Sequence, residues 1–268
     1  MSTHRSLKKR STALPDAPLH VSQTGDQGGA PLVLLHTLAT DHHLWDDVLP
    51  HLPDGVCLLC PDLPGHGQTP LGPAPGRIGA LIAAVEATLD AHRIRDAALL
   101  GHGLGGLVAQ GLATKRLDLV RSLILSGTAA RIGTRARWLQ VATEVRQNPD
   151  AFAQSSARNW SLPRANPEHL ARIRHLIGQQ DPEAIAQAAE AIAGTDFYTT
   201  TAALRLPTLA LVGDRDAATP SDLVAETAGL IPGSHTIRLK NAGHLAMLDS
   251  PINYAKAITE FLKDTAHI

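Results

Sequence analysis

Six short apolar runs punctuate the chain, and their spacing constrains the fold more than any other feature. LVLLH (32–36), VCLLCPD (56–62), AALLGH (97–102), SLILSG (122–127), TLALVG (208–213) and HTIRLK (235–240) read as strands. Most are continuously apolar, as strands covered on both faces must be. Helical periodicity lies between them, as in IGALIAAVEATLDAHRI over 78–94. Such alternation predicts an α/β fold with a mostly parallel sheet of about eight strands and helices on both faces. The rhythm breaks once. Between Ser126 and Leu206 there are only helical patterns, such as RARWLQVATEVRQ and DPEAIAQAAEAIAG. The expected organisation is a loose tail over 1–14, a core of 15–127 and 207–268, and a helical cap inserted over 128–206, above the carboxyl ends of the strands.

Composition narrows the partners. With 268 residues, 44% hydrophobic and 18% charged, the chain can bury a large core. A net charge of −1 provides no bulk field for nucleic acid or an anionic membrane. The basic opening MSTHRSLKKRST is followed by ALPDAPLH rather than an apolar run. No stretch approaches the ~18 apolar residues of a membrane span. A cytoplasmic protein with no nucleic-acid or membrane partner is expected. Cys57 and Cys60 form a C-x-x-C, but inside an apolar strand residues three apart face opposite sides of the sheet. A redox pair needs its thiols together, and a zinc site needs further ligands. No metal and no other cofactor is expected.

Ligands of open α/β sheets bind at the carboxyl ends of strands, so the residues that follow each run carry the functional information. They are HTLATDHHLW (36–45), PDLPGHGQTP (61–70), GHGLGG (101–106), GDRDAATP (213–220) and NAGHLAML (241–248). LLGHGLGGLVAQ (99–110) reads as a strand that enters a tight glycine turn and continues as a helix. With serine in place of Gly103 it would be a G-x-S-x-G nucleophile elbow. Gly101, Gly105 and Gly106 suit such an elbow, where helix and strands pass close together. GHGLGG also nearly spells a dinucleotide-binding glycine motif. That motif follows a first strand and needs an acidic residue ~20 positions later, and neither condition is met.

Together these segments resemble the α/β-hydrolase family from Leu19 to Leu262. TDHHLWDDVLPHL, CPDLPGHG, LILSGTAARIGTRARW and NAGHL are similar to its 3-oxoadipate enol-lactonase branch. The resemblance implies that His244 is the general base and that Asp216 is the carboxylate orienting it. Asp214 is the nearby competitor, better suited to forming the turn. It also implies an oxyanion hole made by the backbone N–H groups of Leu104 and Leu38, with Gly103 at the nucleophile position. Thr37 stands where members often have glycine. As part of the oxyanion loop it is not expected to replace the serine, nor are Ser126 and Thr128, which follow another strand.

The cap should set the substrate, a small-molecule ester or lactone. Arg131, Trp138 and Trp160 are the candidate binding residues, since an arginine can clamp a ligand carboxylate bidentately. His66 in PGHG reads as structural. Three functions remain open. The first is an ester or lactone hydrolase scaffold whose nucleophile has been lost. The second is an enzyme without acyl chemistry, a lyase, isomerase or water-activating hydrolase built on the His244/Asp216 dyad. The third is a silent binding protein, which would have no use for an oriented base. Because every other hydrolase element is present, the first leads.

Overall fold

The computed structural model describes residues 10–11, 18–72 and 76–268. Its strands are β1 (Arg10–Ser11), β2 (Val21–Gly25), β3 (Ala30–Leu35), β4 (Val56–Pro61), β5 (Ala97–His102), β6 (Val120–Ser126), β7 (Thr208–Gly213) and β8 (His235–Leu239). They form one sheet in the order β1-β2-β4-β3-β5-β6-β7-β8. The pairs β1–β2 and β2–β4 are antiparallel and the rest parallel. The six apolar runs are β3 to β8. Leu32 to Leu35, Leu99 and Leu100, and Leu123 and Ile124 have no exposed surface. Each buried leucine of this kind contributes about 2 kcal/mol.

Two strands are absent from the sequence reading. β2, VSQTG, is too polar to stand out, yet it pairs along β4, with Ser22 opposite Cys60 and Thr24 opposite Leu58. Arg10 and Ser11, inside the stretch expected as a loose tail, pair instead with Gln23 and Ser22. The remainder of residues 1–14 lies outside the described residues. Cys57 and Cys60 are buried on β4 and no disulfide joins them.

Between β5 and β6 runs α2 (Leu104–Lys115), and before β5 runs α1 (Ile78–Ala91). The segment between β6 and β7 is helical: α3 (Arg135–Gln147), α4 (Pro149–Trp160), α5 (Pro167–Gly178), α6 (Pro182–Ala193) and α7 (Tyr198–Ala202). Its chemistry defines these boundaries. Thr134, Asn148, Asn166 and Asp181 each accept a backbone N–H at the start of α3 to α6, and proline opens α4, α5 and α6. The chain closes with α8 (Ser221–Gly229), α9 (Ala246–Asp249) and α10 (Pro251–Asp264). Among the described residues no helix is long and apolar enough to cross a membrane.

Candidate active site

Gly103 joins β5 to α2 with φ +52° and ψ −114°, a region costly to any residue with a Cβ. The turn is held at both ends of the residue. Gly103 N–H donates to Ser126 O at 3.0 Å, and Thr128 Oγ1 donates to Gly103 O at 2.8 Å.

Asp216 follows β7. Its Oδ1 accepts the N–H groups of Ala218 (2.9 Å) and Thr219 (2.8 Å), which fixes the carboxylate. Oδ2 faces His244 Nδ1 at 2.9 Å. A carboxylate only accepts, so Nδ1 carries the proton and Nε2 is left as the basic nitrogen. A Cβ placed on Gly103 would lie 4.0 Å from that Nε2. Burial alone would push the Asp216 carboxyl up. The charge and hydrogen bond of His244 and the Thr219 N–H outweigh it, and the group lies below its ordinary value. Asp214 instead accepts Ala242 N–H at 3.2 Å and so ties the loops after β7 and β8.

The histidine loop is anchored to the helical segment, since the N–H groups of His244 and Leu245 both donate to Trp160 O, at 3.1 and 3.4 Å. The Trp160 ring centroid lies 5.9 Å from that of His244. The His102 ring lies against His244, tilted by 44° with centroids 4.6 Å apart, and its Nδ1 shares a 3.1 Å hydrogen bond with Ser126 Oγ. Complete burial, reinforced by the neighbouring His244, holds His102 well below the usual imidazole range.

The loop after β3 carries Thr37 and Leu38. It is wired by histidines. His36 Nδ1 donates to Thr37 O at 2.8 Å while its Nε2 accepts Leu63 N–H at 2.8 Å. His66 Nε2 accepts Ala39 N–H at 3.2 Å. Asp62 takes both the N–H and Nδ1 of His42 and the Nδ1 of His20. Its carboxyl sits far below the usual range, because these hydrogen bonds and nearby His36 overcome burial. His20, His42 and Asp62 bring ligand-type atoms within 4.8 Å of one another, as do Asp41, His42 and His43. In the first group both histidine nitrogens are engaged with the carboxylate. Leu38 N–H meets no partner among the described residues. Leu104 N–H is directed at Thr37 Oγ1, 3.4 Å away.

Of the three candidate binding residues, Trp160 is the one brought against His244. Arg131 turns outward, more than half exposed, to pair with Asp196 at 3.3 Å and to lie 5.7 Å from the Tyr198 ring centroid. Trp138 Nε1 donates to Ile132 O at 2.5 Å. Arg131 borders a cavity of about 290 Å³ with Thr134, Arg135 and Asp196, and none of Gly103, Asp216 or His244 lines it. Sequence reasoning missed the Thr37 side chain. Its departure from glycine was visible, but its direction depends on contacts made after folding.

A glycine elbow, a buried histidine–aspartate pair and the loop after β3, set at the carboxyl ends of the parallel strands of one mixed sheet, define the class. A sequence profile of the alpha/beta hydrolase family matches residues 32–257, and the chain belongs to that family. It is 28% identical over 256 residues to 3-oxoadipate enol-lactonase 2 of Acinetobacter baylyi, covering 92% of this chain and 94% of that one. It is also 28% identical over 241 residues to a pimeloyl-[acyl-carrier protein] methyl ester esterase of Neisseria meningitidis, covering 86% and 92%. The crystal structure of the enol-lactonase from Burkholderia xenovorans superposes with a TM-score of 0.86 at 28% identity, over 91% of this chain and 96% of that one.

Proposed function

We propose that this chain acts on a small carboxylic ester or lactone, as its enol-lactonase and esterase relatives are named for doing, but without an acyl-enzyme at position 103. The observation that carries this reading is the His244–Asp216 pair, 2.9 Å from Nδ1 to Oδ2, aimed across a glycine. Asp216 orients the ring and stabilises its protonated form. No serine hydroxyl stands at that position, and this reading assigns the proton that Nε2 takes to water.

In the resulting step Nε2 removes a proton as the water oxygen bonds to the ester carbon. The carbonyl π pair moves onto its oxygen, which faces the loop donors. Collapse breaks the bond to the alcohol oxygen, and the alcohol leaves with the proton held by His244. Covalent catalysis is lost, so the rate advantage left is on the order of 10³–10⁴-fold over water. The helical segment 128–206 serves as the cap, and Trp160 is the wall of the site it contributes.

The test is hydrolysis of a panel of activated esters and of 3-oxoadipate enol-lactone by the unmodified chain and by His244→Ala. Slow steady turnover without an initial burst, removed by His244→Ala, is the expected result. Rapid turnover with a stoichiometric burst would refute it.

A further inference from the structure

The side chain of Thr37 stands where a side chain of residue 103 would have to be. A Cβ built on Gly103 falls 2.1 Å from Thr37 Oγ1 and 3.0 Å from Thr37 Cβ, so in this arrangement the Thr37 side chain leaves no room for one at position 103. Thr37 is buried, and its backbone is held in place. Its carbonyl accepts His36 Nδ1 at 2.8 Å, Thr40 N–H at 3.3 Å and Thr40 Oγ1 at 3.0 Å. Relief can come only by rotating the threonine side chain. The hydroxyl also takes the Leu104 N–H, at 3.4 Å. One of the two backbone donors expected to stabilise an oxyanion is therefore directed at the protein's own oxygen.

We propose that Thr37 supplies the ligand-facing hydroxyl of this site, its Oγ1–H donating to the ligand's carbonyl oxygen while the same side chain closes position 103 to acyl chemistry. The proposal rests on the ester-handling reading above. A hydroxyl that accepts a backbone N–H is polarised toward donation, so the Leu104 donor is relayed outward through Thr37. Thr37 and Gly103 thus form one functional unit. A serine placed at position 103 alone must displace the Thr37 side chain.

The experiment uses four full-length variants beside the unmodified chain: Gly103→Ser, Gly103→Ser with Thr37→Gly, Thr37→Val and His244→Ala. Covalent labelling by a small fluorophosphonate is located by peptide mass spectrometry, and p-nitrophenyl acetate hydrolysis is resolved into kcat and KM. The unmodified chain should take no label. Gly103→Ser should label at residue 103 on the order of 10²-fold more slowly than the double variant, whose Leu104 donor is free. Thr37→Val keeps the shape and deletes the hydroxyl; it should lower kcat by about 10²-fold, the effect of losing one oxyanion donor, with little change in KM.

Equal labelling of the single and double serine variants would overturn the proposal, as would an adduct on Thr37 itself or an unchanged kcat in Thr37→Val. If His244→Ala hydrolyses the ester as fast as the unmodified chain, the ester-handling reading fails and takes the donor role with it. The labelling comparison still decides separately whether Thr37 fills the place of the serine.

Discussion

The buried histidines predict a steep loss of stability in mild acid. His36, His66 and His102 are each essentially without exposed surface, and burial lowers all three from the ordinary imidazole value. The cause is concrete at His36 and His66, whose Nε2 atoms accept the Leu63 and Ala39 N–H groups and offer an added proton no partner. His66 is brought down to about 4. The unfolded chain protonates such a ring near 6.5, so the folded state resists that proton over roughly 2.5 pH units, about 3 kcal/mol at 1.36 kcal/mol per unit.

The sign follows from which state binds more protons. Above neutral pH neither does, and the full stability is present. As pH falls below about 6.5 the unfolded chain alone takes up the proton, and stability is lost until the folded ring titrates near 4. With three such rings the slope can reach about 4 kcal/mol per pH unit, against a total of roughly 5–15 kcal/mol. Asp62 and Asp216, both held below the carboxylate range, add losses at lower pH. Urea unfolding followed by circular dichroism at several pH values measures the slope, and His66→Asn should reduce it by close to one proton. A slope below one proton between pH 6.5 and 4.5 would refute the reasoning.

Three further outcomes test the packing and the binding surface. In Gly105→Ala the new Cβ would lie 2.3 Å from Leu35 O and 2.6 Å from His36 O, all backbone, so the loss should exceed about 3 kcal/mol or abolish soluble expression. Gly178→Ala meets nothing within 4 Å and should gain up to about 1 kcal/mol in urea unfolding. Arg131→Ala removes an ion pair whose partners are both more than half exposed, so stability should change by less than about 0.5 kcal/mol. KM for a carboxylate-bearing ester should stay unchanged; a tenfold rise, about 1.4 kcal/mol of binding, would restore Arg131 to the site.

What was legible in the sequence follows the range of the forces involved. β3 to β8 were legible because a strand covered on both faces must be apolar throughout. β2 was not, because Ser22, Gln23 and Thr24 owe their strand to pairing with β4 rather than to their own pattern. The order of elbow, Asp216 and His244 could be read because each lies in the turn or loop that follows a strand. Arg131 could not be sorted from a ligand clamp, since its Asp196 partner is brought near only by the packing of the helical segment. The opposition of Thr37 to Gly103 was equally hidden, being a contact between two loops whose side-chain directions are fixed only in the folded sheet.

The carbonyl of Trp160, which receives the N–H groups of His244 and Leu245, has a mechanical consequence. It rivets the end of α4 to the loop that carries His244. Any hinge that swings that helical layer away from the sheet must drag the histidine backbone with it or break both bonds. Displacing the end of α4 and shifting His244 relative to Asp216 are thus a single movement.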